Sequence, residues 1–179
     1  MRWTADFGLP IMNTAVGGHA GKEESEKAFL ENIGALADVA EEVGIIVALE
    51  VHGDIMATGV KTIPLLEKIG RDSIKVNYDT ANVEFYGGVK AVDDLAAIAP
   101  HLAHVHLKET TGGKGVWNFG AIGSGVVDFA RVLQILEEAG YTGPYSVELE
   151  FQGEPWPPLA EVDRAMKTSY EHLKSLGLS

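Results

Sequence analysis

The sequence has no cysteine and few basic residues, and each of these deficits excludes a class of protein. Without cysteine the chain can build neither a disulfide framework nor a thiolate site. The 26 acidic residues outnumber the 14 lysines and arginines and give a net charge of −12. A field of this sign repels phosphate backbones and anionic membrane surfaces. We therefore expect no nucleic acid and no membrane among the partners.

Long hydrophobic runs are also absent from the sequence. An apolar stretch such as residues 44–49 falls far short of the ~20 residues that a membrane-spanning helix needs. Asp6, Pro10 and Asn13 interrupt the segment after Arg2, so no apolar region typical of a signal peptide follows it. These observations favour a cytoplasmic protein.

Apolar, β-rich segments alternate with amphipathic segments along the chain. The predicted strands cover residues 10–16, 44–51, 74–79, 103–108 and 145–150. The predicted helices cover residues 23–43, 61–69, 91–99, 128–139 and 159–176. Such alternation is typical of parallel βα units. We expect one α/β domain that covers residues 1–179.

The five predicted βα units suggest an incomplete parallel barrel of the TIM type. A closed barrel takes eight units and typically about 250 residues, so about three units are lacking, and we expect them to be lacking at the N-terminal side. An open, doubly wound sheet is the alternative, but it usually carries a glycine-rich nucleotide loop. Neither GxGxxG nor GxxxxGK[ST] occurs in the sequence.

The last four predicted strands each end in polar or ionisable residues. Because side chains alternate along a strand, several of these residues share a face: Glu50 with His52, Asn77 with Asp79, His104 with His106 and Lys108, and Glu148 with Glu150. If these faces point into a barrel, they converge at the rim where barrel enzymes place their active sites. Buried carboxylates repel one another unless a cation or proton is present. Oxygen-rich ligands with one imidazole favour a catalytic ion, with Mn²⁺ first and Mg²⁺, Co²⁺ or Zn²⁺ as alternatives.

Four segments together resemble the xylose isomerase-like TIM-barrel superfamily, and most closely its sugar phosphate isomerase/epimerase group. They are LEVHGD at residues 49–54, DTAN at 79–82, HVHLKE at 104–109 and VELE at 147–150. The resemblance spans roughly residues 10–152. It implies one divalent metal ion with four ligands: Glu50, Asp79, His106 and Glu148. The family often has a histidine three residues after the aspartate, where this chain has Asn82.

The resemblance also implies a reaction and a set of pocket residues. Glu50 and Glu148 would act as base and acid in a proton transfer next to a carbonyl. The implied enzyme is a metal-dependent isomerase or epimerase that acts on a small sugar, sugar phosphate or other sugar derivative. The residues expected to line its substrate pocket are His52, Asn82, Lys108 and Glu150.

Simpler interpretations of the same residues stay open. A strand-end carboxylate such as Glu50 or Asp79 often caps the following helix, and a histidine such as His106 is often a packed core residue. Glu148 and Glu150 compete for one ligand position, and register favours Glu148 because it lies deeper in its strand.

Other activities of the whole protein also stay open. An inosose-type dehydratase would use the same metal and base. A phosphodiesterase resembling endonuclease IV would need more histidines and several zinc ions, and the charge of −12 disfavours it. A truncated, non-catalytic metal-binding or assembly module is the non-enzymatic alternative.

An incomplete barrel exposes two strand edges, at residues 10–16 and 145–150. Open, apolar parallel edges favour pairing with another chain, and uncovered inward faces favour an interface. We therefore expect a homo-oligomer.

Overall fold

The computed structural model describes residues 1–16 and 23–178, in which parallel strands alternate with helices. The strands are β1 Ile11–Thr14, β2 Ile46–Glu50, β3 Ile74–Asp79, β4 Leu102–Lys108 and β5 Tyr145–Glu148. The helices are α1 Arg2–Asp6, α2 Glu23–Val43, α3 Gly59–Ile69, α4 Asn82–Phe85, α5 Ala91–Ile98, α6 Phe129–Glu138 and α7 Leu159–Ser175. A 3₁₀ turn, Ala99–His101, leads into β4.

The sheet has the strand order β1-β2-β3-β4-β5, and every neighbouring pair is parallel. Asn13 in β1 and His104 in β4 nevertheless approach to 3.2 Å between Nδ2 and Nδ1. Three strand spacings in a flat sheet would separate these strands by about 14 Å. The sheet is therefore strongly curled, and the prediction of an incomplete TIM barrel with about five of eight units is confirmed.

Strand alternation separates an apolar outer face from a polar inner face. In β3, Val76 and Tyr78 are fully buried and pack with Leu95 of α5 and Leu136 of α6. A second apolar cluster joins β2 to α2 and α3. The alternate residues of β3, among them Asp79, point to the inside of the arc. The helices thus fix the strands from outside while the polar side chains gather within.

A buried carboxylate ties α3 to the sheet and to α5. Asp94 accepts hydrogen bonds from the backbone N–H groups of Gly59 at 2.6 Å and Val60 at 3.0 Å, and from the Tyr78 hydroxyl at 3.1 Å. Burial, followed by the charge of Asp94, raises the pKa of Tyr78 well above 10. A negative charge at a helix N-terminus is favourable, so Asp94 stabilises the start of α3.

The observed elements differ from the predicted ones mainly at their ends. Helix α3 begins at Gly59 rather than at residue 61, because the Thr58 hydroxyl accepts a hydrogen bond from the Lys61 N–H at 3.1 Å and caps it. Strand β5 ends at Glu148, two residues early, and α1 and α4 were not predicted. None of the helices in residues 1–16 and 23–178 has the length and apolar character needed to cross a membrane.

Candidate active site

The four predicted metal ligands come together at the carboxyl ends of four successive strands. Glu50, Asp79, His106 and Glu148 each offer one ligand atom, and these atoms lie within 4.8 Å of one another. From His106 Nδ1 the distances are 2.8 Å to Glu148 Oε2, 3.5 Å to Glu50 Oε1 and 3.8 Å to Asp79 Oδ2. Three carboxylates and one imidazole thus surround a single point at the rim of the arc.

The two carboxylate oxygens of Asp79 lie in different environments. Oδ1 accepts hydrogen bonds from the backbone N–H groups of Ala81 at 2.9 Å and Asn82 at 2.8 Å, at the start of α4. Oδ2 is equally buried, yet it has no hydrogen-bond partner among the described residues and faces His106. Helix capping therefore accounts for one oxygen only. A buried, unpartnered carboxylate oxygen is costly unless a cation meets it, so the site fits a metal ion.

Opposite charges attract one another within the cluster. Burial lowers the pKa of His106, but the adjacent carboxylates of Asp79, Glu148 and Glu50 outweigh burial and raise it to about 11. Burial raises the pKa of Glu148, but His106 and Lys108 outweigh that effect and lower it to about 2. The contact between His106 Nδ1 and Glu148 is not aligned as a hydrogen bond. We therefore attribute these shifts to the attraction between charges. A divalent cation supplies the same positive charge at the same place.

Lys108 is the buried cation beside this cluster. Its Nζ donates to Glu148 Oε1 at 2.8 Å and to Glu150 Oε2, lies 3.5 Å from Asn82 Oδ1 and sits 4.3 Å from the centre of the Phe119 ring. Burial lowers its pKa, but Asp79 and Glu148 outweigh burial and hold the pKa above its usual value. The charge of Lys108 is thus balanced by carboxylates of the protein itself.

Two more predicted pocket residues lie at the same rim. Asn82 is buried, and its Nδ2 donates to Glu50 Oε1 at 3.3 Å and to the Val51 carbonyl at 3.1 Å. His52 Nε2 lies 2.9 Å from the Tyr86 hydroxyl, and their rings are in contact. Asn82 therefore supports the position of Glu50, while His52 and Tyr86 form a polar wall next to it.

A chain of hydrogen bonds runs behind His106. The Asn77 side chain lies 3.2 Å from His106 Nε2 through Nδ2 and 2.8 Å from His104 Nδ1 through Oδ1. His104 Nε2 lies 2.9 Å from Ser146 Oγ. Burial, with help from His106, lowers the pKa of His104 to about 4, so this ring is neutral near pH 7. His104 lies behind the cluster rather than in it, as a residue that supports the ligands.

Aromatic rings border the site on the side of Lys108. Phe85, Trp117 and Phe119 make edge contacts with one another at ring-centre distances of 5.5 to 5.7 Å. The loop that carries Trp117 and Phe119 is anchored by Glu109, whose buried carboxylate accepts hydrogen bonds from the N–H groups of residues 110, 123 and 127. Sequence reasoning assigned no role to Tyr86 or Glu109. The available signal for Glu109 was its position directly after β4, the strand that carries His106.

The sequence of the chain also matches a known protein family. A family model described as a xylose isomerase-like TIM barrel matches residues 1–176. The chain belongs to this family. The cluster of the four predicted ligands thus lies in the barrel type that the sequence resemblance implied.

Curated and solved relatives add sugar epimerases to the comparison. The L-ribulose-5-phosphate 3-epimerase UlaE of Salmonella paratyphi B is 25% identical over 182 residues, which cover 99% of this chain and 63% of the relative. The solved D-allulose 3-epimerase of a Methylomonas species has a TM-score of 0.77 at 24% identity and covers 97% of this chain and 65% of that one. A xylose isomerase-like TIM barrel protein of Mycobacterium smegmatis in complex with magnesium has a TM-score of 0.75 at 18% identity, with 98% and 63% covered. The chain therefore spans less than two thirds of the length of these relatives.

Proposed function

We propose that this chain forms the metal-binding part of a sugar epimerase or isomerase that transfers a proton at a carbon next to a carbonyl. The observation that supports this most directly is the cluster of Glu50, Asp79, His106 and Glu148 at four strand ends, in a chain similar to sugar epimerases. Asp79 Oδ2 is buried without a hydrogen-bond partner among the described residues, 3.8 Å from His106 Nδ1 and 3.9 Å from Lys108 Nζ, which supports a cation bound between the four side chains.

The four clustered residues would hold one divalent ion, and their oxygen-rich set favours Mn²⁺, with Mg²⁺, Co²⁺ or Zn²⁺ also compatible. A bound cation of this kind polarises a carbonyl and makes the adjacent C–H group more acidic. Glu50 and Glu148 then act as the base and the acid that remove and return the proton. Glu148 is ionised near pH 7, because His106 and Lys108 outweigh burial and lower its pKa to about 2.

The side chains around the cluster support a polyhydroxylated substrate. His52 and Glu150 present polar atoms at the rim, Asn82 lies beside Glu50, and Phe119 supplies an apolar surface against Lys108. Hydroxyl groups can donate to such carboxylates and accept from such amides. A small sugar or sugar phosphate fits this mixture of polar and aromatic groups.

The test is an assay of the metal-loaded protein against a panel of ketoses and ketose phosphates, with separation of the products. Interconversion of epimers or of aldose and ketose is expected. In Glu148→Gln, assayed at saturating metal, the activity should fall by at least the ~100-fold that a positioned acid or base contributes. Release of water instead of an epimer would indicate a dehydratase. Metal binding without turnover on any sugar would indicate a non-catalytic module.

Association of chains is part of the proposal. Val147 of β5 is 46% exposed, and next to it lies an apolar groove of about 610 Å³ lined by residues of β5 and α7, including Met166 and Tyr170. Exposed apolar surface of this kind favours an interface. Light scattering is expected to report a dimer or larger species at micromolar concentration, and a monomer would contradict this expectation.

A further inference from the structure

The buried amide of Asn77 touches both histidines of β4, and the metal centre proposed above does not use it. Asn77 is opposite His104 across β3 and β4, next to the Asp79–His106 pair, and is fully buried. It contacts the Nε2 atom of His106, the ring nitrogen that faces away from Glu50, Asp79 and Glu148. The nitrogen that faces the carboxylates is Nδ1.

Metal coordination through Nδ1 imposes a condition on the other nitrogen. A histidine that binds a metal through one nitrogen carries its proton on the other, and this N–H needs an acceptor. Asn77 is the polar side chain placed 3.2 Å from His106 Nε2. Its amide can meet the condition only when Oδ1, and not Nδ2, faces His106.

The contacts of His104 are compatible with the same orientation of the amide. Asn77 Oδ1 lies 2.8 Å and Asn13 Nδ2 3.2 Å from His104 Nδ1, and because an amide oxygen accepts whereas an amide nitrogen donates, the two amides demand opposite roles of this ring nitrogen. Exchanging the ends of the Asn77 amide removes this conflict, and it is the exchange that also gives His106 Nε2 an acceptor. The two ends of an amide are nearly equal in size, so exchanging them preserves both contacts.

We propose that Asn77 is a positioning residue that accepts the Nε2 proton of His106 and thereby keeps Nδ1 of this ring open toward the metal. The resulting network has one consistent direction: His106 Nε2–H donates to Asn77 Oδ1, Asn77 Nδ2 donates to His104 Nδ1, and His104 Nε2–H donates to Ser146 Oγ. Each of these three hydrogen bonds then joins a donor to an acceptor. The inference rests on the metal centre of the proposed function.

The test measures Mn²⁺ affinity by calorimetry in wild type, Asn77→Leu and Asn77→Asp. Leucine matches the shape of asparagine but can accept no hydrogen bond, so the affinity should fall by roughly 10–100-fold, as for other supporting groups of metal-ligating histidines. Aspartate keeps an oxygen at the same place and should bind at least as tightly as the wild type. Asn13→Leu makes the same change at the far end of the network and should remain close to wild type.

A spectroscopic readout separates this role from simple packing. Imidazole ¹⁵N spectra of the zinc-loaded wild type should show a slowly exchanging, hydrogen-bonded proton on His106 Nε2. The Asn77→Asp variant should retain this signature, and Asn77→Leu should lose it while its circular dichroism stays native.

Two outcomes would overturn the inference: wild-type affinity in Asn77→Leu, or an equal loss of affinity in both Asn77 variants. A wild-type protein that binds no Mn²⁺ would instead overturn the proposed function, and the inference with it.

Discussion

Asp79 allows its proposed role as a metal ligand to be separated from its role in holding the backbone, because its two oxygens have different contacts. Oδ1 accepts the N–H groups of Ala81 and Asn82, whereas Oδ2 faces the cluster with no hydrogen bond. Asp79→Asn preserves an oxygen for the two N–H groups and replaces the ligand oxygen by an amide nitrogen, which cannot bind a cation. Asp79→Ala removes both functions.

The expected energies differ between the two variants. Alanine leaves two buried N–H groups without an acceptor, at about 1–3 kcal/mol each, so the free energy of unfolding should fall by roughly 2–6 kcal/mol. Asparagine weakens these bonds by removing a charge but does not leave them unmade, so its cost should be less than half that of alanine. Metal affinity should fall in both variants by more than the roughly 10–100-fold that follows the loss of a side chain hydrogen-bonded to a metal ligand.

Urea unfolding in the presence of a chelator measures the first quantity, and calorimetric titration with Mn²⁺ measures the second. Glu84→Gln is the matched control, because Glu84 is a nearby carboxylate that accepts the Gly113 N–H at 3.0 Å but lies outside the cluster. Wild-type Mn²⁺ affinity in Asp79→Asn, or equal destabilisation by asparagine and alanine in the presence of the chelator, would contradict these separate roles of the two oxygens.

Three further substitutions test the surroundings of the site. In Gly59→Ala, the new Cβ would lie 2.6 Å from Ile98 Cγ2, so the free energy of unfolding should drop by roughly 1–3 kcal/mol, and an unchanged urea midpoint would argue against this packing. Because burial and then Asp94 raise the pKa of Tyr78, its contribution to stability is full below pH 10 and is lost as the pH rises toward the higher folded value. Tyr78→Phe should therefore lose less stability than wild type between pH 10 and 11 in urea titrations, and parallel curves would contradict this. Lys108→Met removes the buried cation that contacts the partly exposed carboxylates of Glu148 and Glu150. The free energy of unfolding, measured with heat and with urea, should therefore fall by roughly 3 kcal/mol. A stabilised variant would disprove that these ion pairs stabilise the fold.

Much of the fold follows from local sequence patterns. Apolar runs such as that of β2 are long enough to be strands buried on both sides, and each is followed by a helical period, which together predict parallel βα units. Short elements have no such period. Helix α4 has four residues and is started by the Asp79 carboxylate, so its existence depends on a tertiary contact.

The part of the candidate site that depends on position at a strand end could be predicted from the sequence. Glu50, Asp79, His106 and Glu148 stand at strand ends with inward register, and the structure brings them together. The partners of these residues were not predictable, because they depend on how neighbouring strands are staggered. The pairing of Lys108 with Glu148 across β4 and β5 and the contact of Asn77 with His106 both arise from this stagger.

Proton exchange at the substrate carbon is the measurement that decides whether this site transfers a proton. The Mn²⁺-loaded chain would be incubated with a ketose in D₂O, and deuterium at the carbon next to the carbonyl would be followed by NMR and mass spectrometry. We expect incorporation that requires the metal and disappears in Glu148→Gln. Epimerised or isomerised sugar without any deuterium, or incorporation at the wild-type rate in Glu148→Gln, would contradict proton transfer by this site.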